Sequence, residues 1–186
     1  MTVYSVRRIV LESYPILPAC ALISLFAGYL LNINVEKIEK VPLILMMVPP
    51  INGIGGNIGS ILGARLASAL HMGTVEPRLR GQRVLRGNIR ASVLMSIGIF
   101  SIISASFFFI ACVRGTAPVD SIRLMFAFFI AGMMSVPVIV LSTVALAFVS
   151  FARGLDPDNV VIPVVTSIID VSGVTCLLIA IKIVGV

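Results

Sequence analysis

The chain has 186 residues, of which 59% are apolar and only 12% charged, with 14 basic and 8 acidic side chains and a formal net charge of +6. Soluble domains carry about 25% charged residues, so these side chains are too few to cover a soluble surface, in agreement with the mean hydropathy of +1.12. Because a spanning helix needs about 20 apolar residues, the composition predicts an all-α integral membrane protein and leaves no room for a separate soluble catalytic or sensor domain.

Five apolar runs along the chain predict five transmembrane helices. We place them at residues 14–31, 41–70, 91–113, 124–151 and 160–181. Ahead of the first run, Arg7 and Arg8 lie where a short interfacial helix would meet anionic lipid headgroups. The first run is long and further runs follow it, so we interpret it as a retained helix and not as a cleaved signal peptide.

The second run contains residues that oppose a continuous helix. Pro49 and Pro50 are followed by a glycine-rich stretch, residues 53–59, so we predict that this helix breaks or unwinds at membrane depth. Unwound backbone is tolerated there only where it is buried in protein or lines a water-filled cavity. The amide oxygens of Asn52 and Asn57 then become candidate cation ligands. The small residues that recur every four positions are Gly55, Gly59, Gly63 and Ala67. Close helix packing alone is the structural interpretation of that stripe.

The fifth run contains an acidic residue deep in the membrane. Asp170 lies ten residues into the run, which is about 15 Å along the helix and near the middle of a roughly 30 Å hydrocarbon core. An ionisable group there costs roughly 2.5–3.5 kcal/mol on insertion, so its presence indicates function. Thr166 shares its helix face, and Pro163 frees a backbone carbonyl near Asn159. This all-oxygen lining suits a hard cation such as Mg²⁺. The structural alternative is an acid that only ties two helices together by hydrogen bonds.

The basic residues predict the orientation of the chain. With the N-terminus inside, the inner segments contain Arg7, Arg8, Arg78, Arg80, Arg83, Arg86, Arg90 and Arg153. The outer segments then contain Lys37, Lys40, Arg114, Arg123 and Lys182. The excess on one side predicts that the N-terminus is inside and the C-terminus outside. The basic loop at residues 78–90 indicates contact with anionic membrane lipids, and nucleic acid is not expected as a partner.

The residues that usually build catalytic centres are sparse. Cys20, Cys112 and Cys176 stand alone in apolar stretches without CxxC spacing, and a single imidazole, His71, cannot build a histidine-rich metal site. The sequence contains no Ser–His–Asp order, no paired carboxylates in one span and no phosphate-binding loop. An enzyme is therefore not predicted. We interpret Asp156-Pro157-Asp158 as a solvated turn that starts the fifth helix, with a charge at the mouth of a pore as the alternative.

Two stretches of the sequence resemble the signatures of a transporter family. The first consists of Pro50-x5-Gly56-Asn57-Ile58-Gly59-Ser60, with Arg65 and Gly73 downstream. The second consists of Gly154-Leu155-Asp156-Pro157-Asp158, followed by Pro163, Thr166, Asp170, Val171 and Gly173. They are similar to the second-helix and fifth-helix signatures of the MgtE magnesium transporters and their eukaryotic relatives in the solute carrier 41 family. The resemblance covers nearly the whole chain.

This resemblance implies a homodimer of five-helix subunits in the cell membrane, with a cation pore lined by the second and fifth helices of both chains. Asp170 matches the pore aspartate, which holds a hydrated Mg²⁺ with oxygens of the preceding turn, here Thr166. Asn57 with Gly56 matches the segment that faces the pore. Ile61 stands where the family usually has a glutamine, so one polar contact of the family differs here. The soluble domains that gate bacterial members are absent from this sequence, which implies a separate regulatory subunit or no gating by internal Mg²⁺.

Three functions are compatible with these residues. The favoured one is a channel or carrier for a divalent cation, most simply Mg²⁺, with Mn²⁺ and Co²⁺ as alternative ions. The second is an exchanger that couples the same site to Na⁺ or H⁺, which requires a further ionisable group deep in the bundle besides Asp170. The third is a membrane scaffold or assembly subunit without transport, in which Asp170 and the glycines only pack helices.

Overall fold

The computed structural model describes residues 6–35 and 42–185, which form helices joined by turns and loops. The helices are α1 (Val6–Ser13), α2 (Ile16–Ile33), α3 (Leu43–His71), α4 (Arg83–Val113), α5 (Pro118–Ala152) and α6 (Pro157–Val184). The segment Val10–Ile33 and helices α3 to α6 are each long and apolar enough to cross a membrane. Within residues 6–35 and 42–185, the predicted all-α class with five helices of spanning length is therefore confirmed. Val41, where the second run was predicted to begin, and the lysines Lys37 and Lys40 lie outside the described residues.

The helices extend past the apolar runs from which they were predicted. α4 begins at Arg83 rather than at residue 91, and α5 begins at Pro118 rather than at residue 124. A helix does not end where hydropathy falls, because arginine is a good helix former and its long side chain can reach the headgroup region. The exposed Arg83, Arg86 and Arg90 thus extend α4 by two turns.

Glycines in the left-handed conformation end four of the spanning helices. Gly73, Gly115, Gly154 and Gly185 follow α3, α4, α5 and α6 with φ of 68°, 76°, 72° and 74°. After each of the first three glycines, the next residue donates its N–H to a carbonyl five residues earlier, as Thr74 does to Ala69 at 3.0 Å. This is the Schellman pattern, in which glycine avoids the strain that a Cβ would introduce. The helix ends are thus set by local chemistry.

The structure contradicts the predicted break in the second spanning helix, because α3 is one continuous α-helix through Pro49, Pro50 and residues 53–59. The two prolines remove the N–H partners of two carbonyls in the first turns, but they do not stop the helix. In hydrocarbon no water competes for backbone groups, so a membrane helix tolerates proline and glycine better than a soluble one. The backbone of residues 53–59 is bonded within the helix, and unwound carbonyls are not available there as cation ligands.

The glycines of α3 let this helix approach α6 closely. The facing pairs, in antiparallel order, are Gly55 with Ile169, Gly59 with Val165 and Gly63 with Val161. A Cβ on the first or third of these glycines would lie 2.6 or 2.8 Å from a methyl group of its partner. Such distances are too short for any side chain larger than hydrogen. Three members of the small-residue stripe, Gly55, Gly59 and Gly63, therefore pack α3 closely against α6.

α6 lies at the centre of the bundle and packs against α2, α3 and α5. α4 packs on the outside against α5 and α3. The core between these helices contains the fully buried Phe100, Phe128 and Ile139. α2 is the least buried spanning segment. The middle of α6 is therefore positioned by α2 on one side and by α3 and α5 on the others.

Candidate cation site

Asp170 lies at the middle of α6, as the fourteenth of its 28 residues. Its Oδ2 atom accepts a hydrogen bond of 2.6 Å from the hydroxyl of Ser24 on α2. Its Oδ1 atom has no hydrogen-bond donor among the described residues. The side chain is partly exposed. One carboxylate oxygen is thus held by α2, and the other is free to accept a ligand.

Asn52 approaches the same residue from α3. Its Nδ2 atom donates to the backbone carbonyl of Asp170 over 3.5 Å, which is a long hydrogen bond. Its Oδ1 atom is buried without a hydrogen-bond partner among the described residues. That atom lies against Gly173, where a Cβ would collide with it. Gly173 lies about one turn after Asp170 on α6. The absence of a side chain at Gly173 allows the amide of Asn52 to lie beside Asp170.

Gly56 and Thr166 form a contact between α3 and α6 one turn from Asp170. A Cβ on Gly56 would lie 3.4 Å from Thr166 Cγ2 and 3.6 Å from its Oγ1, so the glycine keeps space next to the threonine. Thr166 is exposed, and its hydroxyl donates to the carbonyl of Ile162 at 2.9 Å. Because its proton is used in that bond, Thr166 Oγ1 presents only lone pairs outward. This suits an acceptor for the waters of a hydrated cation.

Asn57 lies on an exposed stripe of α3 together with Gly53. It makes no hydrogen bond within the part of the chain that the structure describes. Asn52, and not Asn57, is therefore the asparagine in contact with Asp170. Gly53 and Asn57 of α3 and Thr166 of α6 are exposed, and Asp170 of α6 is partly exposed. We refer to these four residues together as the open face.

One copy of the chain offers few ligands for a metal ion. No group of three or more histidine, cysteine or acidic side chains that could hold a metal occurs among the described residues. Asp170 contributes one carboxylate, and its surroundings add neutral oxygens from hydroxyl and amide groups. Mg²⁺ takes six oxygens and gives up its waters reluctantly. The open face therefore suits a hydrated ion held through its waters, not a dehydrated ion in a closed cage.

A second polar group lies at the end of the bundle where α6 begins. Asp156 caps α6 by accepting from the Asp158 N–H at 3.1 Å, as predicted, but it is buried and not solvated. His71 Nε2 lies 3.7 Å from its carboxylate. Glu12 of α1 accepts a hydrogen bond of 2.9 Å from Asn159. These contacts tie α1 and α3 to the start of α6, so the group has a structural explanation.

Ser24 and Glu12 were not among the site residues predicted from the sequence. Ser24 is a polar residue at the middle of an otherwise apolar run, the same depth as Asp170 in its own helix, and this matching depth was the available signal. Glu12 precedes the first run and carried no pattern that related it to Asn159. Both contacts join residues more than 140 positions apart. Such pairings require the packing of α1 and α2 against α6 to be known.

Comparison with known proteins relates the chain to a family of transporters. The family model MgtE, described as a divalent cation transporter, matches residues 48–180. Solute carrier family 41 member 3 of Rattus norvegicus is 27% identical over 176 residues, covering 88% of this chain and 38% of that protein. The Mus musculus protein of the same name is 26% identical, with 88% and 36% covered. The chain thus spans little more than a third of the length of these relatives. No solved structure matches the chain.

Proposed function

The chain belongs to the MgtE/solute carrier 41 family of divalent cation transporters, and we propose that it carries Mg²⁺ across the cell membrane through a pore between two copies. The pore is lined by α3 and α6 of both copies. The observation that carries the proposal is the carboxylate of Asp170, which lies at the middle of a spanning helix and borders the open face. An acid at that depth is costly in lipid and is retained where it faces an ion path.

A second copy completes this site. Exposed polar side chains such as Asn57 and Thr166 are unfavourable against lipid, so the open face is better covered by protein or water. Two copies inserted in the same direction are related by a twofold axis along the membrane normal. That axis, passing in front of the open face, brings two Asp170 carboxylates together around one hydrated ion. The dimer thus supplies the second charge that a single copy lacks.

Ion choice then depends on hydration. Mg²⁺ holds octahedral water at about 2.0–2.1 Å, whereas Ca²⁺ takes six to eight oxygens at about 2.3–2.6 Å with flexible geometry. A site that contacts the waters of the ion through two carboxylates and neutral oxygens favours the ion with the more rigid hydration shell. Mn²⁺ and Co²⁺ accept similar octahedral ligands and are the closest competitors.

The proposal includes an orientation with the N-terminus inside. Arg83, Arg86 and Arg90 are spaced so that they lie on one side of the first turns of α4. In this orientation they meet the anionic lipids of the inner leaflet. A membrane potential of 100 mV, negative inside, then favours entry of a doubly charged ion by about 4.6 kcal/mol. A separate regulatory subunit acting on this pore is part of the same proposal.

Transport by purified protein in liposomes tests the function. Mg²⁺ and Ca²⁺ uptake is measured separately for wild type, Asp170→Asn and a matched control, Asp120→Asn. Asp120 is an exposed carboxylate at the start of α5, 3.5 Å from Arg123, away from the site. We expect Asp170→Asn to lower Mg²⁺ uptake at least roughly tenfold, since hydrogen bonds to charged groups contribute about 1.5–3 kcal/mol each. Asp120→Asn should transport as wild type does.

Two results contradict the proposal. If wild type forms a stable dimer but passes no divalent cation, the chain is not a transporter by itself. If Asp170→Asn transports normally, the carboxylate does not line the ion path. Loss of the dimer in Asp170→Asn, without any wild-type flux, supports a scaffold in which the acid only packs helices.

A further inference from the structure

Hydroxyl groups in the spanning helices mostly bond to their own helix. In α3 to α6, the described serine and threonine hydroxyls that donate hydrogen bonds do so to backbone carbonyls three to five residues earlier in the chain. This local bond is the ordinary way for a hydroxyl to be satisfied in hydrocarbon. Ser24 of α2 departs from it, because its hydroxyl donates to the Asp170 carboxylate, 146 positions away.

The bond joins the middle of two spanning helices. Ser24 is the ninth of the 18 residues of α2, and Asp170 is the fourteenth of the 28 residues of α6. A hydrogen bond between a hydroxyl and a carboxylate is short and strong, and the 2.6 Å separation agrees with this class. The carboxylate is therefore held in one orientation by α2.

The geometry points to Ser24 as a positioning residue for the Asp170 carboxylate, which makes α2 a third helix of the cation site. This inference rests on the proposed function. With Oδ2 held by Ser24 and the backbone carbonyl approached by Asn52, Asp170 is restrained from α2 and from α3. Its second oxygen, Oδ1, then points in a defined direction for the waters of the cation. Preorganisation of this kind raises affinity by reducing the ordering needed on binding.

Removal of the Ser24 hydroxyl should weaken cation binding more than it lowers the maximal rate of uptake. In Ser24→Ala the carboxyl group of Asp170 stays in place but loses its restraint, so the half-saturating Mg²⁺ concentration should rise about tenfold, equivalent to ~1.4 kcal/mol. Maximal uptake should change by less than about twofold, because bound ion still meets the same pore. Ser24→Thr keeps a hydroxyl at this position and should restore the half-saturating concentration to within about twofold of wild type.

Ser172→Ala provides the matched control. Ser172 is on α6, two residues from Asp170, and its buried hydroxyl has no hydrogen-bond partner among the described residues. Its removal deletes a hydroxyl of the same size from the same region without touching the carboxylate. Uptake into liposomes is measured over a range of Mg²⁺ concentrations for wild type and the three variants, with thermal unfolding of each as a check of folding.

The inference is supported if Ser24→Ala raises the half-saturating concentration while Ser24→Thr and Ser172→Ala do not. It is overturned if Ser24→Ala keeps the wild-type value, if Ser24→Thr behaves as Ser24→Ala does, or if Ser24→Ala only lowers maximal uptake together with stability. Absence of uptake by wild type is a different result, because it refutes the proposed function, and the inference is lost with it. If Asp170→Asn loses uptake while Ser24→Ala keeps the wild-type half-saturating concentration, the inference about Ser24 is refuted and the proposed function is not.

Discussion

Replacing Gly55 by alanine should force α3 away from α6. The new Cβ would lie 2.6 Å from Ile169 Cγ2 and 3.4 Å from Ile139 Cδ1. The end of the Ile139 side chain can move aside, but Ile169 Cγ2 cannot. It is bonded to a β carbon whose χ1 angle is restricted in a helix, and the side chain is fully buried. The two helices must therefore separate by several tenths of an ångström.

Two opposing effects set the size of the change in stability. Overpacking of a well-packed core costs about 2 kcal/mol, and alanine is favoured over glycine inside a helix by about 1 kcal/mol. Gly55→Ala should therefore destabilise the protein by about 1 kcal/mol. Gly98→Ala on α4 is the matched control, because nothing lies within 4 Å of its Cβ position, and it should stabilise by about 1 kcal/mol. The variants should differ by about 2 kcal/mol, or about 4–8 °C in Tm.

The buried cysteines provide the assay. Cys20 and Cys176 are buried and become reactive towards a maleimide dye on unfolding, whereas Cys112 is exposed. Melting curves are therefore recorded in a Cys112→Ser background. Adding Ile169→Ala to Gly55→Ala removes the facing methyl, so the double variant should be more stable than the sum of the single effects by about 2 kcal/mol. The reasoning is refuted if Gly55→Ala melts at or above Gly98→Ala, or if the two substitutions are simply additive.

Two further predictions address the proposed orientation and dimer. With the N-terminus inside, the exposed Cys112 near the end of α4 should react with a membrane-impermeant maleimide added to intact cells. If Cys112 is labelled only after the cells are lysed, the orientation is the opposite of the proposed one. In the dimer the exposed Asn57 positions of two copies approach each other, so Asn57→Cys in a cysteine-free background should be cross-linked by a short bis-maleimide. Ser101→Cys, on an exposed part of α4, should not be cross-linked. Equal cross-linking at positions 57 and 101 would contradict the proposed dimer interface.

The wrong prediction for α3 shows the limit of local reasoning. Pro49, Pro50 and the glycines at residues 53–59 have low helix propensity, and in water that composition ends helices. The helix continues because apolar surroundings leave the backbone no partner except itself and because the glycines fit against α6. The same residues that weaken the helix by themselves allow the contact that keeps it intact.

The candidate site was predictable in part. Asp170 can be identified from the sequence alone, because an ionisable residue in the middle of an apolar run is costly in the membrane and indicates a specific role. Gly173 belonged to the predicted motif, and the structure adds the reason, which is the close approach of Asn52. Asn52 and Asn57 looked equivalent in the sequence, yet Asn52 contacts Asp170 and Asn57 is exposed. In a continuous helix, five residues rotate the side chain by one full turn plus about 140°, so Asn52 and Asn57 face different surroundings.

The amino-acid sequence by itself determines the membrane class and the five spanning helices, and it singles out Asp170 as a candidate site residue. These features depend on hydropathy along the chain, so local physical chemistry is sufficient to predict them. The tertiary structure alone decides the continuity of α3, the choice of Asn52 over Asn57 and the bond from Ser24 to Asp170. Each of these depends on which helices become neighbours, and contacts between distant parts of the chain form only when the bundle is packed.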